Sequence, residues 1–302
     1  MTIQIYCVGG AVRDFFLKRT SSDKDYLLVG ANIESLKKFN LKTVGKDFPV
    51  FLHPETNEEI ALARTEKKKG FGYKGFTFFT SKNLTVEDDL KRRDLTINSM
   101  AVNEEGILID PFNGIKDIEN KVFKNTSSAF IEDPLRLIRL ARFCSYFPEF
   151  TVNDNTLEIC KDICSTNEIK YLSKERIWIE LSKGLLGYVP SEMLRFLIQT
   201  GAWNQITNDN LSINTILNKI DLAKNSNLPV KWIASLLFEN YEIEKINCNF
   251  PSEVKKSIRI IKKARKYADQ IKKNFHAPPV LAEPILKLTE VGNLFRQPNE
   301  IN

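Results

Sequence analysis

The pattern of hydrophobic and polar positions changes near residue 130. Up to that point short apolar runs alternate with Gly, Asp and Asn, which predicts short strands separated by turns. These runs cover residues 3–8, 26–29, 49–52, 59–63, 77–79 and 107–109. Beyond it apolar residues recur at helical spacing, as in Leu135, Ile138 and Leu140. The sequence therefore predicts an α+β fold, in which a head with a mixed sheet precedes an all-helical part.

This change in pattern also predicts how the chain is divided. We expect a head over residues 1–125, a helical neck over 126–205 and a helical body over 206–302. The Asn-rich stretch 208–228 is the best candidate for a junction inside the helical part, and the chain contains no internal repeat.

Composition narrows the class of protein without identifying it. The chain has 302 residues, of which 42% are hydrophobic, enough for two or more packed units. No stretch reaches the roughly 18 to 20 apolar residues that cross a bilayer, so we expect a cytoplasmic protein with no membrane contact. A net charge of +6 suits a polyanionic partner but does not prove one. The five cysteines show no disulfide framework, and two histidines argue against His-rich metal sites.

Asp23 and Asp25 provide the first candidate chemistry. Because alternate side chains of a strand point to the same face, the two carboxylates can hold Mg²⁺ ions together. Such ions activate an attacking hydroxyl and stabilise the pyrophosphate leaving a nucleoside triphosphate. The pair alone is weak evidence, since loops with solvated aspartates often contain it.

A glycine pair upstream strengthens this interpretation. Gly9 and Gly10 follow the first predicted strand, and Arg13 lies one turn into the helix that comes next. Without Cβ atoms, the backbone N–H groups of such a turn can approach phosphate oxygens. A plain strand-to-helix turn is the alternative, but the Asp pair nearby favours phosphate binding.

Three ordered segments now resemble a known family. They are the run Gly9 to Asp14 with the Asp23 and Asp25 pair, the run 92–98 (Arg-Arg-Asp-Leu-Thr-Ile-Asn), and the run 132–136 (Glu-Asp-Pro-Leu-Arg). Together they resemble the class II tRNA nucleotidyltransferases, which include CCA-adding enzymes and bacterial poly(A) polymerases. The similarity covers about residues 3–200 and implies a polymerase-beta-like palm in the head.

The resemblance implies a reaction and a set of site residues. The reaction is the template-independent addition of C, C and A to the 3′ end of tRNA from CTP and ATP, with Mg²⁺ as cofactor. Asp23 and Asp25 would be catalytic metal ligands. Nucleotide contacts would come from Gly10, Arg13, Arg93, Asp94, Asn98, Asp133, Arg136, Arg139 and Arg142. We expect a monomer.

The roles of two groups in this set can also be argued from the residues. Arg93, Asp94 and Asn98 stand beside apolar Leu95 and Ile97, which favours a partly buried cluster over surface charges. Asp133 and Arg136 at i,i+3 on a helix would share a face and could be an ordinary ion pair.

In the family this second pair replaces a template. A carboxylate accepts from the amine of cytosine or adenine while a guanidinium donates to ring acceptors. Guanine and uracil present the opposite polarity and leave buried groups unpaired. Arg139 and Arg142 continue the spacing and would reach triphosphate or RNA, although Arg142 could also be solvated.

Two further segments bear on the activity. The basic, glycine-rich stretch 66–75 suggests a mobile loop, which in the family accompanies the change from adding C to adding A. Relatives often carry a C-terminal His-Asp metal domain, but Phe238 and Glu239 stand where that pair is expected. We therefore expect a catalytically inactive remnant that binds tRNA through its basic residues, which are Lys255, Lys256, Arg259, Lys262, Lys263, Arg265 and Lys266.

Three alternatives remain open at this point. One is a tRNA nucleotidyltransferase that adds only A, and another is a poly(A) polymerase, whose head carries nearly the same motifs. The third is a non-enzymatic RNA-binding protein on an inactive head, which the presence of the carboxylates, glycines and arginines disfavours.

Overall fold

A computed structural model describes residues 3–20, 24–37, 41–44, 50–68, 76–209 and 214–273. The chain forms two compact units, the first from residues 1–136 and 149–171 and the second from 137–148 and 172–302. Residues 126–136 and 149–171, which the sequence assigns to the neck, thus belong with the head. The boundaries expected at 125 and 205 stay predictions.

The first unit is built on a mixed sheet of seven strands. In spatial order they are β3 (Lys42–Val44), β4 (Val50–Leu52), β5 (Glu59–Leu62), β2 (Asp25–Val29), β1 (Gln4–Val8), β8 (Ala101–Asn103) and β9 (Leu108–Ile109). Strands β2 and β5 are parallel and the other pairs are antiparallel. The predicted mixed sheet is confirmed.

Smaller elements complete this unit. A separate hairpin joins β6 (Arg64–Lys68) to β7 (Phe76–Thr80), and β10 (Val122–Phe123) pairs in parallel with β11 (Thr151–Val152). The helices are α1 (Gly10–Phe16), α2 (Ile33–Lys37), α3 (Val86–Lys91), α4 (Gly114–Glu119) and α6 (Asp154–Ser165).

The sheet is covered on both faces, which explains why β2 is apolar throughout its second half. Leu27 and Val29 pack with Val86 and Leu90 of α3, whereas Leu28 packs on the opposite face with Leu36 of α2. Burying a leucine side chain stabilises a fold by about 1.5–3 kcal/mol. The two apolar contacts of α3 fix this helix against the sheet, and with it the polar residues at its end.

The second unit is helical in its described residues. Its helices are α5 (Leu135–Tyr146, of which residues 137–146 belong here), α7 (Lys174–Gly184), α8 (Pro190–Thr200), α9 (Ala202–Thr207), α10 (Asn214–Asn225), α11 (Val230–Phe238) and α12 (Ser252–Lys273). Trp203 stacks on Phe238 at 5.7 Å and donates to the Tyr241 hydroxyl at 3.0 Å. This aromatic contact anchors α9 and α11 in one core.

Four of the five cysteines are core residues, as predicted, whereas Cys7 is only partly buried. All five are free thiols, and Cys144, Cys160, Cys164 and Cys248 are buried. Burial raises the pKa of Cys144 to about 12, so this thiol stays protonated at neutral pH. Within the described part of the chain, no helix is long and apolar enough to cross a membrane.

Candidate active site

The ends of three neighbouring strands meet at one edge of the large sheet. Val8, the last residue of β1, pairs with Asp25, the first residue of β2. Val8 also pairs with Ala101, the first residue of β8. The turn after β1 therefore lies beside Asp25 and beside the chain that leads into β8. Sequence segments about a hundred residues apart are brought together by this register.

Gly9 forms the turn and closely approaches another segment. Its φ of +73° and ψ of −129° are a conformation that glycine adopts readily and other residues rarely. Its N–H donates to the Met100 carbonyl at 3.2 Å. A Cβ placed on Gly9 would lie only 2.9 Å from Nη1 of Arg93. The glycine thus leaves room for the Arg93 side chain beside the start of α1.

Three polar side chains next to this turn are joined by hydrogen bonds. Arg13 donates to Asn98 Oδ1 at 2.7 Å, and Asn98 in turn donates to Asp94 Oδ1 at 3.0 Å. Asp94 and Asn98 are each 6% exposed. Arg13 also contacts Asp14 at 2.8 Å, a partner that the sequence analysis missed. The burial expected of Asp94 and Asn98 is confirmed, whereas their contact with a nucleotide stays a prediction.

Arg93 is held by a residue that the sequence analysis did not single out. Its Nε and Nη2 donate to Asp89 Oδ2 at 3.3 and 3.2 Å. Arg92 donates to the other oxygen of Asp89 and, at 2.7 Å, to Glu66. Burial alone would raise the pKa of Asp89, but the two arginines outweigh it and hold the pKa below its ordinary value. The i,i+3 and i,i+4 spacing was the available signal.

The expected geometry of Asp133 and Arg136 is wrong. Asp133 precedes α5 with φ −115° and ψ +100°, so the two residues do not share a helix face. The cause is Pro134, because a residue before proline is driven out of the helical region. Asp133 instead accepts from the Leu135 N–H at 3.1 Å, as a cap.

Arg136 is buried and bonded to the backbone. It is 7% exposed and donates to the carbonyls of Ala129 and Arg92. Its Nη2 lies 3.8 Å from Glu66 Oε2. Burial lowers the pKa of this guanidinium, although nearby carboxylates including Asp133 oppose the effect. The guanidinium plane is therefore fixed by main-chain oxygens rather than by an ion pair along one helix.

The next two arginines of α5 belong to the second unit. Arg142 Nε lies 2.9 Å from Glu180 Oε2, and Arg139 Nη1 lies 3.8 Å from Glu180 Oε1. Glu180 is buried and was not identified from the sequence. The alternative of a solvated Arg142 is wrong, since its side chain is 15% exposed. Contacts of either arginine with triphosphate or RNA stay predictions.

Two predicted features lie outside the described residues. They are Asp23 and residues 69–75 of the expected mobile loop. Among the described residues, no group of three or more His, Cys, Asp or Glu side chains could hold a metal ion.

The described residues nevertheless offer suitable donors for a cation. Asp25 is exposed and pairs across β2 and β5 with Glu59, which is also exposed. Paired residues of adjacent strands share a face, and carboxylate oxygens are the ligands that Mg²⁺ prefers. The carboxylates at this edge are therefore of the chemical type that binds a divalent cation.

Two basic residues of the expected RNA surface have partners within the protein. Glu239 is 5% exposed and bonds to Arg265 of α12. Lys262 donates to the Tyr241 carbonyl at 2.6 Å. These two basic residues bond to the protein because α12 packs on α11, so less of their charge is available to RNA, and their contact with tRNA stays a prediction. Lys256, Arg259, Lys263 and Lys266 are exposed.

This chain is similar to known proteins in both sequence and fold. Residues 5–124 match the Poly A polymerase head domain, and residues 149–209 match the probable RNA and SrmB-binding site of polymerase A. A CCA-adding enzyme of Bordetella bronchiseptica is 43% identical over 235 residues, 78% of this chain and 65% of that protein. One from Coxiella burnetii is 50% identical over 200 residues, 66% of this chain and 53% of that protein.

The chain thus spans from about half to just under two thirds of these relatives. A solved structure of a Thermotoga maritima CCA-adding enzyme complexed with tRNA has a TM-score of 0.72 and covers 97% of this chain and 73% of that one. At 21% identity this likeness establishes the fold. Sequence matches through residue 209 and the shared fold show that the chain belongs to the class II tRNA nucleotidyltransferase family.

Proposed function

We propose that this chain adds C, C and A to the 3′ end of tRNA from CTP and ATP, without a nucleic-acid template and with release of diphosphate. The observation that carries the proposal is the meeting of strand ends that brings the Gly9 turn, Asp25 and the Arg13–Asn98–Asp94 chain to one edge. Both relatives described above are named for CCA addition. The enzyme would act as a monomer in the cytoplasm.

Each group at this edge has a distinct part in the reaction. Mg²⁺, when bound by Asp23 and Asp25, supplies activation of the 3′ hydroxyl and neutralisation of the triphosphate. The turn at Gly9 and Gly10 lets the backbone approach phosphate oxygens. Arg13 and Arg93 contribute charge that is already oriented by Asn98 and Asp89. Catalysis then rests on positioning and fixed electrostatics, without a histidine base.

Base selection is assigned to Asp133 and Arg136 in their observed geometry. A carboxylate has about four lone-pair sites, so Asp133 can accept from an exocyclic amine as well as from the Leu135 N–H. Arg136 is held by two carbonyls and keeps further N–H donors for ring acceptors. A fixed donor and acceptor of this polarity favour cytosine and adenine over uracil and guanine.

Contact with tRNA phosphates is assigned to the second unit. Lys174, Lys255 and Arg259 line a cavity of about 260 Å³ there. Exposed Lys256 and Lys263 of α12 add charge nearby along the helix. Such contacts position RNA without reading its sequence.

One incubation tests the reaction directly. The full chain is supplied with Mg²⁺, with CTP and ATP singly and together, and with one of three RNAs: tRNA ending before C, C and A, tRNA that already ends in C and C, or an unrelated RNA. We expect CTP alone to extend by C and C, and the mixture to stop after A. Extension only of tRNA that already ends in C and C indicates A addition, and long adenylate tails on arbitrary RNA indicate a poly(A) polymerase. Either outcome contradicts the proposal.

The metal assignment is tested with a matched pair of variants. Asp23→Ala should abolish incorporation of both nucleotides and leave tRNA binding within a few fold, because the site loses a ligand and not the RNA surface. Glu104→Ala removes an exposed carboxylate from the same unit and should act as wild type. Incorporation retained by Asp23→Ala rules out this ligand.

A further inference from the structure

Asp89 is a fully buried carboxylate that joins two consecutive arginines. Its side chain is 0% exposed. Oδ1 accepts from Arg92 Nη2 at 2.6 Å, from Arg92 Nε at 3.1 Å and from the Arg64 N–H at 3.2 Å. Oδ2 accepts from Arg93 Nη2 and Nε. Both oxygens are thus engaged by charged or main-chain donors.

The sequence around α3 produces this arrangement. Thr85 and Asp88 form a capping box that starts the helix, while Val86 and Leu90 anchor it on the sheet. The helix ends at Lys91, so Arg92 and Arg93 fold back over its last turn to reach Asp89. The carboxylate therefore lies at a position that the apolar core fixes.

The bonds to Asp89 decide which edge of Arg93 is presented. Nε and Nη2 point at the carboxylate, and Nη1 lies beside Gly9, where a Cβ would come within 2.9 Å. Gly9 in turn follows the strand residue that pairs with Asp25. A long, flexible arginine side chain loses rotamer entropy when it is held in one place. Asp89 supplies that constraint before any ligand binds.

The charges around Asp89 also indicate that this carboxylate holds Arg93 in place. Arg64, Arg92 and Arg93 lie close together, and Asp89 bonds to the last two. Glu66 pairs with the first two, at 3.1 and 2.7 Å, but has no such bond to Arg93. Neutralising Asp89 would therefore leave the Arg93 guanidinium without its carboxylate partner and close to the positive charge of Arg92.

We propose that Asp89 is a positioning residue that holds the Nη1 edge of Arg93 toward the triphosphate and ribose of the incoming nucleotide. The inference rests on the proposed function of Arg93 as a nucleotide contact. Asp89 itself is buried under the arginines and touches no substrate. Its effect should therefore appear in nucleotide binding and incorporation, and should depend on Arg93.

A double-mutant cycle on the full chain tests this dependence. Asp89→Asn keeps the shape and removes the charge, and it should raise KM for CTP and ATP by about 10- to 100-fold, the loss typical of a misplaced contact. KM for tRNA should not change. In an Arg93→Ala background the same substitution should have little further effect on nucleotide KM. Glu87→Gln, which removes an exposed charge from the same helix, is the control and should leave KM unchanged.

Calorimetric binding of CTP in the presence of Mg²⁺ separates this inference from the proposed function. A wild-type chain that binds CTP but does not add C, C and A refutes the function, and the cycle can still be completed on binding. Equal nucleotide losses from Asp89→Asn with and without Arg93 would overturn the positioning role. So would a melting-temperature drop with unchanged nucleotide affinity. Should the asparagine variant not fold, Asp89→Glu enters the same cycle with the same criterion.

Discussion

Gly9→Ala tests whether the close approach of Arg93 to the β1 turn matters for nucleotide binding. The substitution has two separate consequences. The alanine must adopt a backbone φ of +73°, a conformation that costs a non-glycine residue about 1–3 kcal/mol. It also lies 2.9 Å from Arg93 Nη1, so this side chain must move by several tenths of an ångström.

The two consequences have different magnitudes and different observables. For a unit of this size each kcal/mol lowers Tm by about 2–4 °C, so backbone strain should lower Tm by roughly 2–12 °C. Displacing Arg93 weakens a charge-assisted hydrogen bond worth about 1.5–3 kcal/mol. At 1.4 kcal/mol per tenfold, CTP affinity should fall by about 10- to 100-fold.

Gly106→Ala provides the matched control. Gly106 also has a positive φ, +79°, but no atom lies within 4 Å of its Cβ position. This variant should lose stability through the backbone and keep its affinity for CTP. Thermal melts and calorimetric titration with CTP and Mg²⁺ are measured on both proteins. If both lose affinity equally, or if Gly9→Ala binds CTP as wild type does, the proximity of Arg93 has no functional meaning.

Three further changes test separate parts of the structure. Asp133→Ala should relax the choice of CTP and ATP over UTP and GTP, because the acceptor for the exocyclic amine is lost; unchanged discrimination in misincorporation assays contradicts this. Arg265→Ala should lower the free energy of unfolding by roughly 2 kcal/mol in urea unfolding, because the buried Glu239 carboxylate loses its cationic partner. The loss is limited because Arg265 is itself partly exposed. Glu239→Gln should lower the free energy of unfolding by less, since it leaves no buried charge. Because the pKa of Asp89 is lowered in the folded protein, its ionised form stabilises the fold fully above the ordinary pKa of 3.8. The difference in free energy of unfolding between wild type and Asp89→Asn should shrink only as the pH falls through the lowered pKa. A difference that disappears by pH 5 would contradict that shift.

The fold could be predicted where apolar spacing alone decides the structure. The runs that became β1, β2, β4, β5, β7 and β9 are apolar, and the helical periods after residue 130 are regular. Strand β6 was missed because its sequence, Arg-Thr-Glu-Lys-Lys, has no apolar alternation. Its extended form comes from pairing with β7 over the full length of the hairpin. Cross-strand partners of this kind are a property of tertiary structure.

The site was predictable as separate segments but not as a set of partners. Each segment has a local signature, whereas the approach of Gly9 to Arg93 depends on the register of β1 with β8. The interpretation of Asp133 and Arg136 failed for a local reason, because the effect of Pro134 on the preceding residue was not weighed. Asp89 was within reach of the sequence through its spacing from the two arginines. Glu180 was not, since its partners lie on another helix.

The Arg92–Arg93 segment links contacts that the sequence treats as independent. The carbonyl of Arg92 accepts from Arg136, while its side chain bonds to Asp89 and Glu66. Arg93, the next residue, shares Asp89 and approaches Gly9. Under the proposed function, the group that selects the base and the group that meets the sugar and phosphates are therefore tied to one short piece of backbone. A nucleotide that shifts Arg136 also pulls on the carbonyl next to Arg93, so base identity can affect how well the triphosphate is held. Selectivity would then be measured in incorporation rate as well as in affinity.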